Sequence, residues 1–179
     1  MKELELKFLE IDKDVLIQKL ESVGARLTVD DVLKTIYFDY PDHRIRDSRE
    51  VFRIRTFGDK VELGRKINPR FEDECKVFDE IEVYVSDFDE AVELVESLGF
   101  IRGLHFEKHR TEYVLPDGSK FEIDTFPGVP TFLEVEAIDW NRIQELIEEF
   151  GLEDYEQTNL IGQELLKQKY NVEVNGLTF

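Results

Sequence analysis

The sequence predicts an α+β protein in which eight antiparallel strands close into a barrel with helices packed on the outside. Three observations support this prediction. About eight segments alternate between apolar and polar residues with a period of two, which is typical of strands. Turn residues separate these segments at hairpin spacing. The polar strand positions are almost all charged, and a barrel with a charged interior requires this more than a solvent-exposed face does.

A unit of strand, helix and glycine occurs three times along the chain. Alternating segments that carry Glu-x-Glu lie at residues 3–11, 80–85 and 133–137. Each passes to an aspartate, an amphipathic stretch and a glycine, which favours a helix with an Asp N-cap and a Gly stop. The aspartates are Asp12, Asp87 and Asp139, and the glycines are Gly24, Gly99 and Gly151. The helical spacing of the first unit extends to Leu27.

Further strands are predicted between these units, with turns at dipeptides such as Asn68-Pro69. They lie at residues 33–40, 50–57, 60–67, 105–115 and 120–126. A last helix is predicted at residues 160–170, and the tail after it has no clear pattern. The chain contains no linker or low-complexity segment. We therefore predict one domain over residues 1–179, with a core at about 2–170 and a C-terminal helix and tail at 158–179.

The composition restricts the partners of this protein. Lys and Arg number 23 against 41 Asp and Glu, so the net charge is −18. Such a surface repels nucleic acid and anionic lipid, and we expect neither as a partner. An anionic ligand must enter a local basic site. The N-terminal residues lack the apolar run of a signal peptide and no stretch is long enough to span a membrane, which predicts a cytoplasmic protein. A homodimer is compatible with the sequence.

Alternation also predicts which charged residues share a face. Glu3, Glu5 and Lys7 lie on one face of the first strand, and similar charged faces occur on the later strands. A lumen that mixes cations with carboxylates suits a phosphate chain, because Arg and Lys bind phosphate oxygens and carboxylates bind Mg²⁺ or Mn²⁺. The alternative is an open antiparallel sheet with its charged face in water.

Eight short motifs resemble, in this order, those of the CYTH superfamily, which includes class IV adenylyl cyclases, thiamine triphosphatases and inorganic triphosphatases. They are ELELK at residues 3–7, YFD at 37–39, FRIR at 52–55, LGRK at 63–66, EIE at 80–82, KHR at 108–110 with Tyr113, FEID at 121–124 and FLEVE at 132–136. The resemblance covers about residues 2–170 and is greatest to the class IV cyclases. It departs at Asn159-Leu160-Ile161, where the family has Ser-Tyr.

The resemblance implies a fold and a set of site residues. The fold is an eight-stranded antiparallel tunnel for a triphosphate, in agreement with the barrel predicted above. Glu80 and Glu82 would balance the cations or bind a second ion. The resemblance implies that the triphosphate is bound by Lys7, Arg53, Arg55, Lys66, Lys108 and Arg110, that Mg²⁺ or Mn²⁺ is bound by Glu3, Glu5, Glu134 and Glu136, and that Glu5, Lys7 and Asp124 are catalytic.

Three functions are consistent with these motifs. The first is a class IV-type adenylyl cyclase, in which the 3′-hydroxyl of ATP attacks its own α-phosphate and releases pyrophosphate. The second is a triphosphatase that hydrolyses inorganic or thiamine triphosphate. Both reactions use the same lumen charges, so the motifs do not separate them. The third is a non-catalytic binder of nucleotides or polyphosphate. Such a protein would not need metal-binding carboxylates, and all of them are present in this chain.

Overall fold

The computed structural model describes residues 2–72 and 75–179, apart from the side chains of Lys2, Glu3 and Glu72. The described strands are β1 (Lys2–Phe8), β2 (Arg26–Asp39), β3 (Val51–Phe57), β4 (Lys60–Glu72), β5 (Cys75–Val85), β6 (Ile101–Val114), β7 (Lys120–Thr125), β8 (Phe132–Ala137) and the short β9 (Gln157–Thr158). The described helices are α1 (Lys13–Ser22), α2 (Arg44–Asp47), α3 (Phe88–Ser97), α4 (Trp140–Phe150) and α5 (Gly162–Tyr170).

Strands β1 to β8 form a closed antiparallel barrel. The strand order is β5-β4-β3-β2-β6-β7-β8-β1, and β1 also pairs with β5. In that closing pair Glu5 lies opposite Lys76, while on the other side of β1 Glu5 lies opposite Glu136. The predicted eight-stranded barrel is confirmed, and the alternative of an open sheet is excluded.

The helices cover the apolar outer face of the barrel. On β1, Leu4, Leu6 and Phe8 point outward and are at most 2% exposed, whereas Glu5 and Lys7 point into the lumen. Helices α1 and α4 pack on β1, β7 and β8, while α3 packs on β2 and β3. Helix α5 contributes Leu165 and Leu166 to a third apolar cluster with the ends of β6 to β8. Burial of these apolar side chains drives the charged positions inward.

The predicted N-caps and glycine stops are present in all three repeated units. The backbone N–H groups of Val15, Glu90 and Arg142 donate to Asp12, Asp87 and Asp139 at 3.1, 2.8 and 2.9 Å. A residue at the N-cap satisfies one of the free N–H groups of the first turn. Gly24, Gly99 and Gly151 all adopt positive φ angles. These local signals therefore determine where the three helices begin and end.

Several predicted boundaries are wrong. Strand β2 begins at Arg26 rather than at residue 33, so Leu27 belongs to this strand and not to the first helix. The dipeptide Asn68-Pro69 does not end a strand: β4 continues through it with a register shift between Ile67 and Arg70, because a bulge absorbs the irregular residues. Strands β5 and β6 likewise begin earlier than predicted, and the short helix α2 was missed.

The C-terminal tail packs along the beginning of β6. The N–H of Glu107 donates to the carbonyl of Leu177 at 2.8 Å, and the N–H of Gly176 donates to the carbonyl of His105 at 2.7 Å. Val174 belongs to the same apolar cluster as α5. Among the described residues, none of the helices has the length and apolar character needed to cross a membrane.

Candidate active site inside the barrel

The interior of the barrel is a cavity of about 220 Å³ with charged side chains on strands all around its wall. The side chain of Glu3 lies outside the described residues, so its metal-binding role stays a prediction. The other predicted site residues all line this one cavity: Glu5, Lys7, Arg53, Arg55, Lys66, Lys108, Arg110, Asp124, Glu134 and Glu136. Closure of the sheet therefore brings together charges that are up to 131 positions apart in the sequence.

Three carboxylates from β1 and β8 form a compact group in the lumen. One oxygen each of Glu5, Glu134 and Glu136 lies within 4.8 Å of the others, and all three residues are buried. The ammonium of Lys7 donates to Glu134 at 2.9 Å and to Glu5 at 3.3 Å. The backbone register explains the group, because Glu5 lies opposite Glu136 and Lys7 lies opposite Glu134.

This carboxylate group has the chemistry of a hard cation site. Burial raises the pKa of Glu5, and the neighbouring Glu134 raises it further, although Lys7 and Lys66 act in the opposite direction. Buried carboxylates this close together need either a proton or a cation between them. Oxygen ligands alone are the donor set that Mg²⁺ and Mn²⁺ prefer. The residues present therefore fit the predicted divalent metal.

Arg53 occupies the β3 side of the lumen and contacts three carboxylates. Its Nη2 lies 3.2, 3.3 and 3.5 Å from Glu62, Glu80 and Glu82. Burial opposes its charge, but these carboxylates hold the pKa of the Arg53 guanidinium above its usual value. Gly64 lies opposite Arg53 in the β3–β4 pair, and a Cβ atom at position 64 would lie 3.5 Å from Arg53 Nε. That Nε is buried and has no hydrogen-bond partner among the described residues.

Arg110 is held in place by a bidentate ion pair. Its Nε and Nη2 donate to the two oxygens of Asp124 at 2.8 and 2.7 Å, and its Nη1 contacts Glu122. Lys108 donates to the same carboxylate at 2.7 Å. Burial disfavours the charged form of Asp124, but Arg110 and Lys108 lower the pKa of this carboxyl below its usual value. Asp124 is thus an ionised carboxylate that orients two cations.

The structure adds lumen residues that sequence reasoning did not assign to the site. Glu62 binds Arg55 at 2.9 Å, Glu122 contacts Arg110, and Lys120 donates to Glu136 at 2.9 Å. Period-two alternation, which puts Glu62 on the same face as Lys66 and Glu122 on the same face as Asp124, could have found two of them. Lys76, on the inward face of β5, could not be found by alternation, because the predicted strand begins at residue 80 whereas β5 begins at Cys75.

The cavity is open at one end and covered near α5. Tyr84 lines the cavity and is 56% exposed, and the side chain of Glu82 is 34% exposed. At the covered end Ile161, Gly162 and Gln163, which begin α5, line the cavity. The accessible end of the cavity is therefore the one that carries Tyr84 and Glu82.

The chain is thus a closed antiparallel barrel whose interior mixes guanidinium, ammonium and carboxylate groups. The CYTH domain family model matches residues 1–168, and the chain belongs to this family. The resemblance inferred from the motifs is therefore confirmed. The match includes all strands of the barrel and most of α5.

Three proteins are similar to this chain, one in sequence and two in structure. A Methanocaldococcus jannaschii protein, provisionally named adenylate cyclase MJ0240, is 27% identical over 99% of this chain and 100% of its own length. The structure of a provisionally assigned adenylate cyclase from Vibrio parahaemolyticus has 16% identity and a TM-score of 0.74, covering 92% of this chain and 97% of that chain. The Hippeastrum protein HpAC1, provisionally an adenylyl cyclase and described as having a dominant triphosphatase activity, has 14% identity and a TM-score of 0.61, with 95% coverage of both chains.

Proposed function

We propose that this protein is a metal-dependent enzyme that acts on the triphosphate of a nucleotide and converts ATP into cyclic AMP and pyrophosphate. The observation that carries the proposal is the carboxylate group of Glu5, Glu134 and Glu136 inside the same cavity as the basic residues. The name of the Methanocaldococcus jannaschii relative supports the cyclase reaction over other reactions of a triphosphate.

The cations of the lumen bind and orient the phosphate chain. Arg53 and Arg55 project from β3 and Lys66 from β4, so they approach the cavity from one wall. Guanidinium groups bind phosphate oxygens in bidentate fashion, which positions the chain as well as attracting it. The 3′-hydroxyl then releases its proton to solvent and its oxygen forms a bond to the α-phosphorus, while the bond from that phosphorus to the bridging oxygen breaks and pyrophosphate leaves.

Glu5, Glu134 and Glu136 would hold Mg²⁺ or Mn²⁺. When bound, the ion supplies positive charge that neutralises the phosphate oxygens in the transition state. Lys7, which lies between Glu5 and Glu134, keeps these two carboxylates oriented toward the lumen. Asp124 acts as a positioning residue for Lys108 and Arg110, because its oxygens accept hydrogen bonds from both cations.

The second candidate is a triphosphatase that hydrolyses inorganic or thiamine triphosphate. The cavity wall supports a triphosphatase, because charged groups dominate it and can bind a phosphate chain that carries no nucleobase. The aromatic side chains of Tyr84 and Phe57 line the same cavity and offer the apolar surface that an adenine would need. The two candidates thus differ in whether these aromatic residues matter for turnover.

One assay series tests the proposal. The purified protein is incubated with ATP, inorganic triphosphate or thiamine triphosphate, each with Mg²⁺ or Mn²⁺, and the products are identified. Cyclic AMP and pyrophosphate from ATP are the expected products, whereas orthophosphate from the other substrates would select the triphosphatase. Absence of turnover on all three substrates with either metal would reject an enzymatic function.

A further inference from the structure

Lys76 is a buried cation on the inward face of β5, behind the side chains that line the cavity, and the site described above gives it no role. It lies on β5 directly opposite Glu5 of β1, and it is only 5% exposed. Strand alternation places it on the same face as Phe78 and Glu80, both of which line the cavity. Its ammonium lies 4.7 Å from the centre of the Phe78 ring. Lys76 therefore faces the interior near the covered end.

The other lumen lysines differ from Lys76 because each has a carboxylate partner. Lys7 lies 2.9 Å from Glu134, and Lys66 lies 3.5 Å from Glu5. Within the described residues, Lys76 makes no ion pair and no side-chain hydrogen bond. A buried ammonium without an ion pair costs free energy in the folded state.

The surroundings of Lys76 mix ammonium groups, from Lys7 and Lys66, with the carboxylates of Glu5 and of Glu164 on α5. The ammonium of Lys66 lies 5.4 Å from the centre of the Phe78 ring. The ammonium groups of Lys66 and Lys76 are therefore both close to this aromatic side chain. Burial lowers the pKa of Lys76 to about 8, although Glu5 and Glu164 of α5 act in the opposite direction. The N–H groups of Gly162 and Gln163 precede the first hydrogen bond of α5, which runs from Leu165 to Ile161. The free N–H groups at the N-terminus of a helix carry a partial positive charge, which favours an anion there.

We propose that Lys76 and the first turn of α5 form an anion subsite at the covered end, which takes the terminal phosphate of a linear triphosphate. This inference rests on the proposed function. A terminal phosphate could form the direct ion pair that Lys76 lacks among the described residues, where Glu5 and Glu164 act on it only without contact. Because α5 covers this end, a nucleoside remains at the open end near Tyr84 and the phosphate chain enters first.

The test measures tripolyphosphate binding by calorimetry in the presence of Mn²⁺. Lys76→Met removes the charge and keeps the length of the side chain, and we expect an affinity for tripolyphosphate that is lower by about tenfold or more. Pyrophosphate, which is one phosphate shorter, should lose less affinity. Lys34→Met is the matched control, because Lys34 is exposed on the outside of the barrel. This variant should bind tripolyphosphate with the affinity of the wild type.

A second measurement separates a binding role from a structural role. Without ligand, Lys76→Met should melt at the same temperature as the wild type or higher, because it removes a buried unpaired charge. Lys76→Arg should retain most of the affinity, and Lys76→Gln offers a polar replacement if Lys76→Met does not fold. Unchanged tripolyphosphate affinity in Lys76→Met or Lys76→Gln would overturn the subsite while the proposed function stands. No binding by the wild type would overturn both.

Discussion

Two arginines of the lumen have similar roles but different surroundings. Arg53 contacts three carboxylates at 3.2 to 3.5 Å through a single nitrogen, and its Nε has no hydrogen-bond partner in the part of the chain that the structure describes. Arg110 instead uses all its nitrogens on Asp124 and Glu122 and is 2% exposed. Removal of Arg110 would leave these two buried carboxylates without their main counterion. The structure thus separates a substitution that affects binding from one that also affects folding.

We expect Arg53→Ala to lower tripolyphosphate affinity by roughly tenfold to a hundredfold, because it removes a charge-assisted hydrogen bond worth about 1.5–3 kcal/mol. Arg110→Ala should lower affinity similarly and also reduce the free energy of unfolding by about 3–5 kcal/mol. Calorimetry and urea unfolding measure the two effects. Arg102→Ala removes an arginine whose side chain is 55% exposed and serves as the control. Unchanged affinity in both lumen variants would mean that these arginines serve only the fold.

Glu5→Gln tests the carboxylate group at its centre. The variant keeps the size of the side chain and one oxygen acceptor but removes the charge that would bind Mg²⁺ or Mn²⁺. We expect turnover to be lost at ordinary metal concentrations and to recover in part at high Mn²⁺. Turnover is measured against metal concentration for both proteins. Full activity of Glu5→Gln at low metal, or metal-independent turnover of the wild type, would contradict this assignment.

The same variant makes a prediction about pH in the absence of metal. Burial raises the pKa of Glu5 above its ordinary value of 4.5, so the folded protein favours the protonated carboxyl more than the unfolded chain does. The cost of ionising Glu5 is absent below that pH and grows as the pH rises through the folded pKa. Melting temperatures should therefore agree near pH 4 and favour Glu5→Gln near pH 7. A wild type that is more stable than the variant at pH 7 would refute this account.

At the scale of an element, Asp39 illustrates a motif residue that has a structural role. It ends β2, and its carboxylate accepts hydrogen bonds from the N–H groups of Tyr40, Ile45 and Arg46 at 2.7, 3.0 and 3.0 Å. The last two N–H groups belong to the short helix α2. The Asp of the YFD motif therefore connects β2 to α2 and does not line the cavity.

We expect Asp39→Asn to lower the free energy of unfolding by about 1–2 kcal/mol at pH 7, because the amide is a weaker acceptor than the carboxylate. Burial opposes the charge, but the three N–H groups lower the pKa of Asp39 below 3.8. The stabilisation is present above that pH and is lost as the pH falls through the folded pKa.

Urea unfolding at pH 7 and pH 3 measures this difference, which should shrink at pH 3. The control is Asp47→Asn, since Asp47 lies in the same helix and its side chain is 62% exposed. If Asp39→Asn were as stable as the wild type at pH 7, the proposed link between β2 and α2 would contribute nothing.

For the whole molecule, the net charge of −18 and the buried carboxylates predict that metal and triphosphate bind together. A triphosphate alone meets repulsion from the carboxylates, whereas Mn²⁺ alone lacks the phosphate oxygens that would complete its coordination. Tripolyphosphate and Mn²⁺ together should therefore raise the melting temperature by more than the sum of their separate effects. Saturation at 100 times Kd stabilises a folded protein by about 2.7 kcal/mol.

Thermal unfolding with each ligand alone and with both measures this coupling. Glu5→Gln provides the matched control, because it should respond to tripolyphosphate but show little additional effect of Mn²⁺. Strictly additive shifts in the wild type would contradict simultaneous binding in one site.

Local sequence patterns were enough to predict the repeating features of this protein. Alternation along β1 separated Leu4 and Leu6 from Glu5 and Lys7, and Asp12, Asp87 and Asp139 marked the beginnings of three helices. These features are local, because side-chain direction in a strand and capping in a helix depend on neighbours a few residues away. The motif order was sufficient to identify the family and to select ten lumen residues.

The three-dimensional arrangement of the strands sets which of these charges form ion pairs among the described residues. The bulge at Asn68 and the early beginnings of β2 and β5 arise because pairing with distant strands overrides local turn signals. Closure between β1 and β5 places Lys76 opposite Glu5, residues that are far apart in the chain. Charge neutralisation in a lumen depends on distances across the barrel, and no local pattern in the sequence contains those distances.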